Sequence, residues 1–135
     1  MPKQIRLKDQ NNAPVIIQEG ESLNIVATFA DVSASPETLT LADLLTLKVT
    51  LYAGTTVINS RDAQDIKNTN GGTVTAAGAL TLALTTDDNP IVNNTLTAGE
   101  TEEHIARLEW TWNDGTTRKG IVEYIYEVEK LASPT

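Results

Sequence analysis

The sequence lacks cysteine altogether, and it holds one histidine, one methionine and six aromatic residues among its 135. The absence of cysteine excludes disulfides, thiolate nucleophiles and cysteine-ligated metal sites. No apolar run is longer than a few residues, so no segment is expected to span a membrane. The first ten residues carry charges without an apolar core, which does not fit a secretory signal peptide. We therefore expect a soluble protein, and its length fits one domain.

Charge is distributed unevenly along the chain, whose net charge is −8. Residues 1–8 contain three basic residues and no acidic one, whereas the rest contains seven basic and 18 acidic residues. An acidic body repels phosphate backbones, so nucleic acid is not an expected partner.

Threonine is abundant, with 20 copies, and apolar residues alternate with polar ones, as in half-buried antiparallel strands. The clearest alternating segments are 22–29, 46–52, 79–84, 104–112 and 120–129. Weaker strands are predicted at 4–7, 14–18, 55–59 and 72–75. The residues predicted to face inward are Leu23, Ile25, Phe29, Leu47, Val49, Leu51, Leu80, Leu82, Leu84, Leu108, Trp110, Tyr124 and Val128.

Turn signals separate these strands. Asn113–Thr116 contains Asp-Gly, which suits a tight hairpin, and Gly78 lies in a second short hairpin loop. Helical turns are predicted within residues 36–45 and 85–94, the second capped by Thr86 or Asp87. The pattern predicts an all-β fold of about seven to nine short strands, either a β-sandwich or a small barrel. Large aliphatic residues at the inward positions favour the antiparallel sandwich, and an immunoglobulin-like β-sandwich without the disulfide stays open.

The predicted domain organisation is simple. Residues 1–12 are an N-terminal arm or first strand, residues 13–131 form a single β-sandwich domain, and residues 132–135 are a C-terminal tail.

The densest group of potential metal ligands is Glu100, Glu102, Glu103 and His104. It lacks a recognisable ligand spacing, and an acidic loop that leads into a strand explains it better. No nucleophile elbow or distinctive carboxylate pair is present. We predict no catalytic residue, metal or cofactor, and no enzymatic activity.

The tryptophans Trp110 and Trp112 share one face of a predicted strand, and we expect Tyr124 and Tyr126 to pair with them across the hairpin. Core packing is the favoured interpretation. The alternative is a flat aromatic row that stacks on sugars, as in a carbohydrate-binding module.

Five segments stand in a characteristic order: GESLNIVATFAD, then LTLAD with VTLY, then GGTVTAAGALTLALTTDD, RLEWTWNDG and EYIYEV. This order resembles small immunoglobulin-like or baseplate-upper-protein-like β-sandwich proteins encoded among the structural genes of tailed bacteriophages. The resemblance covers residues 18–130, and the acidic stretch TLTAGETEEH departs from it.

The resemblance implies a virion protein that acts by protein–protein contact, first of all a capsid decoration (cement) subunit. A tail, neck or baseplate accessory protein and a carbohydrate-binding, adhesin-like module are the alternatives. The implied partners are other virion proteins, the major capsid protein or tail components. The protein is then expected to be a homo-oligomer or bound to a lattice.

The basic N-terminal segment is the predicted docking element. Its candidate partner-docking residues are Lys3, Ile5, Arg6, Leu7 and Lys8. Alternation in this segment fits a strand added to the edge of a partner sheet, with charge attracting an acidic neighbour. The same pattern fits the first strand of the chain's own sandwich, and the sequence leaves both interpretations open.

Overall fold

The computed structural model describes residues 5–8, 16–36, 41–113 and 115–132. Its strands are β1 (Ile5–Lys8), β2 (Ile16–Gln18), β3 (Leu23–Asp31), β4 (Leu44–Ala53), β5 (Thr56–Val57), β6 (Gln64–Asp65), β7 (Gly72–Val74), β8 (Ala79–Leu84), β9 (Thr101–Asn113) and β10 (Thr117–Glu129). Two 3₁₀ helices of one turn each, Leu41–Asp43 and Thr86–Asp88, lie within the predicted helical turns. No helix among the described residues is long and apolar enough to cross a membrane.

The strands form two sheets. The smaller sheet has the order β1-β3-β8-β7, and the larger has the order β2-β10-β9-β4-β5, with β6 beside β4. Only the pairing of β2 with β10 is parallel among the described strands. When β1 and β2 are taken as halves of one strand that changes sheets, this order matches the ABED and GFCC′ sheets of a variable-type immunoglobulin sandwich.

The predicted fold class, an antiparallel immunoglobulin-like β-sandwich, is therefore confirmed. Each of the five alternating segments lies within or largely within a long strand, and the four weaker predictions correspond to β1, β2, β5 and β7. The structure describes ten strands, one more than the predicted maximum of nine, because the two-residue β6 has no counterpart among the predicted strands.

The inward side chains of both sheets meet in one core. Twelve of the thirteen residues predicted to face inward are buried, and the remaining one, Leu23, is half-buried and packs against the core. Phe29 of β3 and Trp110 of β9 meet edge to face across the core, with ring centroids 5.3 Å apart. These strands correspond to the B and F strands, which a disulfide joins in antibody domains. Here an aromatic contact, not a disulfide, joins them.

The indole of Trp110 also connects β1 to β10. Its Nε1 donates a hydrogen bond to the carbonyl oxygen of Ile5 at 3.0 Å. Directly opposite Trp110 on β10 lies Gly120. A Cβ atom at position 120 would lie 2.3 Å from Cε2 of Trp110. Position 120 therefore has to be glycine for the indole to lie across β10.

The register of the β9–β10 hairpin corrects one prediction. Tyr124 lies opposite Ala106 and Tyr126 lies opposite His104, so neither tyrosine pairs with a tryptophan. The two strands are thirteen residues long, and the tyrosines lie at the end of β10 that is far from the turn. The turn was placed correctly, but the lengths of the strands put the tyrosines beyond the tryptophans.

Candidate functional site

The outer face of the larger sheet, which points away from the smaller sheet, carries a line of apolar side chains. Ile125 of β10 lies opposite Ile105 of β9, Ile105 lies opposite Tyr52 of β4, and Tyr52 lies opposite Val57 of β5. Residues that lie directly opposite on neighbouring strands point to the same face of a sheet. These four side chains, the apolar row, therefore cross four adjacent strands.

Much of this apolar surface is accessible to solvent. Ile125 is 49% exposed, and Ile121, four residues earlier on the same face of β10, is 55% exposed. Single exposed apolar residues are ordinary on a protein surface, but aligned neighbours form a continuous patch. Continuous apolar patches mark contact surfaces, so the apolar row is the candidate site.

Hydrogen bonds to two charged side chains fix Tyr52 within the apolar row. The hydroxyl of Tyr52 donates to Oε2 of Glu123 at 2.6 Å and accepts a hydrogen bond from Nη2 of Arg107 at 3.2 Å. The guanidinium of Arg107 lies 5.5 Å from the centre of the Tyr52 ring. The hydrogen bond to Glu123 raises the pKa of Tyr52 and lowers the pKa of Glu123. Tyr52 therefore stays protonated, which suits a fixed contact residue and not a nucleophile.

Two ion pairs neutralise part of the charge on the outer face. Arg107 pairs with Glu123 at 3.4 Å, and Lys119 pairs with Glu109 at 2.8 Å. At one end of the face Glu103 and Glu127 lie directly opposite each other on β9 and β10. We call this pair of glutamates the acidic end.

The predicted acidic loop is shorter than the sequence suggested. Strand β9 begins at Thr101, so Glu102 and Glu103 lie within the strand and point to opposite faces. Glu100 remains in the turn before it, and His104 is buried with an exposure of 0%. The alternation of the strand therefore places Glu102 and His104 on one face and Glu103 on the other, while Glu100 lies outside the strand. The described residues contain no group of three metal-ligating side chains.

The carboxylate of Glu102 has a structural role. It accepts the backbone N–H groups of Val92 at 2.8 Å and Asn93 at 2.9 Å, and it lies 2.6 Å from Nε2 of His104. Burial alone would raise the pKa of Glu102, but these three hydrogen bonds together lower it. Glu102 thereby attaches the loop before β9 to the sandwich.

The predicted helical cap is shifted by one residue. The sequence suggested Thr86 or Asp87, whereas the N-cap of the 3₁₀ helix is Thr85. The backbone N–H of Thr85 donates to Oδ2 of Asp88 at 2.8 Å. Asp88 also forms a buried ion pair with Arg61, whose Nε lies 2.6 Å from Oδ1. Asp88 therefore pairs with Arg61, which is distant in the sequence, and the sequence around Asp88 does not indicate this contact.

The predicted docking residues are divided by the structure. Ile5 is buried in the chain's own core, and β1 pairs with β3 of the smaller sheet. The structure thus shows the intramolecular alternative, in which this segment is the first strand of its own sandwich. Arg6 is exposed. Lys3, and the side chains of Leu7 and Lys8, lie outside what the structure describes, so docking through these basic residues stays a prediction.

The tryptophans and their neighbours are core residues. Trp110, Trp112, Tyr124 and Tyr126 are all buried, and so is Phe29. The sixth aromatic residue, Tyr52, is alone in being partly exposed. A flat row of exposed aromatic rings, which stacking on sugars requires, is therefore not formed.

No protein-family model matches the chain, and no curated protein matches its sequence significantly. Among solved structures, the structure of murine CRIg matches with a TM-score of 0.44 and 14% sequence identity. The match covers 94% of this chain and 98% of the CRIg chain. The function is therefore argued from the surface of this chain.

Proposed function

We propose that the protein is a structural subunit that acts by protein–protein contact through the outer face of its larger sheet. The observation that carries this proposal is the apolar row, four side chains aligned across four strands, with the exposed Ile121 further along the same face of β10. Burial of apolar surface on association contributes about 25 cal/mol per Å² before the costs of association. The rigid sheet beneath the row limits the entropy lost on binding.

We further propose that the assembly is the virion of a tailed bacteriophage, with the protein as a capsid decoration subunit bound to the major capsid protein. This finer assignment is supported by the order of the sequence motifs alone. A place on the tail, neck or baseplate is the alternative. In either case the protein repeats on a symmetric lattice, so that many weak contacts add up to stable attachment.

A pair of surface variants tests the contact face. Ile121→Asp with Ile125→Asp places two charges on the outer face of the larger sheet. Val26→Asp is the matched control, because Val26 is 51% exposed on β3 of the other sheet. We expect the double variant to fold normally but to be lost from purified particles, while the control is retained. Normal incorporation of the double variant, at wild-type copy number by quantitative mass spectrometry, would refute the contact face.

Localisation on particles tests the finer assignment separately. Immunogold labelling of purified phage particles with an antibody to this protein is expected to decorate the head. Gold confined to the tail or baseplate would favour the alternative, and unlabelled particles that also lack the protein by mass spectrometry would overturn the virion proposal.

A further inference from the structure

The acidic end of the outer face, within the described part of the chain, carries negative charge that no ion pair balances. Arg107 and Lys119 are both committed to ion pairs, and Lys48 lies opposite Asp65 in register. Glu103 and Glu127 face each other with no cation beside them among the described residues. Like charges that lie directly opposite on neighbouring strands destabilise a sheet.

We propose that the partner of the outer face presents a lysine or arginine side chain next to an apolar patch. The apolar patch covers the apolar row, and the cation lies at the acidic end, where it neutralises Glu103 and Glu127. This inference rests on the proposed function, because it specifies the partner of the same surface. It explains why the chain keeps two opposed carboxylates that reduce its own stability.

A cavity beside the apolar row fits the shape of such a side chain. Its volume is about 420 Å³, and it is lined by apolar Ala53, Val92 and Ile105 together with Glu102 and Glu103. Ile105 belongs to both the cavity and the apolar row. Lysine and arginine carry an apolar stem that ends in a cation. The stem would pack on the apolar wall while the cation reaches Glu103, the member of the acidic end that lines the cavity.

Charge also argues against a second copy of this chain as the occupant. A second copy would bring a body with a net charge of −8. On its outer face Arg107 and Lys119 are already paired with Glu123 and Glu109. Two copies packed through this face would therefore add repulsion at the acidic end. A partner with basic groups gains attraction there instead, which speeds its encounter with this face.

A random-peptide display library, panned on the full chain, is the probe. We expect the selected peptides to combine lysine or arginine with aliphatic residues. Individual peptides are then titrated against Glu103→Gln with Glu127→Gln. The matched control is Asp62→Asn with Asp87→Asn, two exposed carboxylates elsewhere. Each double variant changes the net charge by the same amount, from −8 to −6.

The expected result is an affinity about five- to tenfold lower for the Glu103/Glu127 variant and nearly unchanged for the Asp62/Asp87 control. The thermal stability of the Glu103/Glu127 variant should not fall, since a repulsion has been removed. Equal affinities for both variants, a selection without basic residues, or no binders at all would overturn the inference.

Two further measurements separate this inference from the proposed function. If Ile125→Asp abolishes peptide binding while the Glu103/Glu127 variant binds normally, the contact face stands and the basic partner is wrong. If Ile125→Asp has no effect either, the contact face itself is wrong. Self-association of the wild-type chain that sedimentation shows to depend on Ile125 would assign the face to a second copy and overturn the inference.

Discussion

Replacing Asp88 with asparagine is expected to remove much of the stability of the sandwich, although the side chain keeps its size. The Asp88 carboxylate is fully buried and accepts hydrogen bonds from Nε and Nη2 of Arg61 at 2.6 and 3.1 Å. It also accepts Nδ2 of Asn59 at 2.9 Å and the backbone N–H of Thr85 at 2.8 Å. The substitution leaves the Arg61 guanidinium, which is 6% exposed, without its counter-charge.

The size of the effect follows from that uncompensated charge. Breaking a buried ion pair by removing one partner costs about 3–5 kcal/mol. A typical domain has a free energy of unfolding of about 5–15 kcal/mol. For a chain of this length, 1 kcal/mol corresponds to roughly 4 °C in Tm, so we expect Tm to fall by about 12–20 °C.

Urea and thermal unfolding followed by circular dichroism measure this loss, with Asp87→Asn as the control because Asp87 is exposed. The pH dependence gives a second readout. Burial raises the pKa of Asp88, but the hydrogen bonds from Arg61, Asn59 and Thr85 outweigh it and lower the pKa. A lowered folded-state pKa stabilises the protein above the unfolded value, near 3.9, and this contribution is lost as the pH falls through the folded value.

Two outcomes would contradict this role of the Asp88 carboxylate. If Asp88→Asn lowers the free energy of unfolding by less than about 1 kcal/mol, the buried charge of Arg61 does not depend on the Asp88 carboxylate for compensation. An acid limb of the stability curve that is as steep in Asp88→Asn as in the wild type would show that Asp88 does not contribute to it. The double variant Arg61→Met with Asp88→Leu, which removes both charges, should recover part of the loss.

Three further predictions concern stability. Leu82→Ala opens a cavity in the core and should cost about 2–5 kcal/mol in urea unfolding, whereas an unchanged midpoint would contradict the assigned core. Gly120→Ala forces a Cβ atom against Trp110 and should cost about 1–3 kcal/mol, a penalty that Trp110→Leu in the same chain should reduce. Deletion of residues 1–8 removes the buried Ile5 and should lower Tm. An unchanged Tm would instead favour the interpretation of this segment as an arm that docks on a partner.

The fold was predictable because period-two alternation is a local signal. The predicted inward residues of β8 and β9 are in the core, because burial of one face fixes which alternate residues of a strand point inward. The short strands depend on distant partners instead. Two-residue β6 forms only because β4 lies beside it, and β2 pairs in parallel with β10, more than a hundred residues later.

The candidate site was not predictable to the same extent. Ile105, Ile121 and Ile125 stand at outward positions of their strands, so a signal of exposed apolar residues was present in the sequence. Their alignment with Tyr52 and Val57 depends on the register between β9, β4 and β5, which joins distant segments. Alternation assigns a side chain to a face, but register decides which exposed side chains become neighbours.

The edge-to-face contact between Phe29 and Trp110 has a practical consequence. Because an aromatic pair joins the two sheets and the sequence has no cysteine, the unfolding midpoint should be the same with and without a reducing agent. Any cysteine introduced by mutation would be the single thiol of the protein. One placed at Thr46 or Lys48 on the outer face could carry a spin label or a photo-crosslinker, and so report directly on what this sheet contacts.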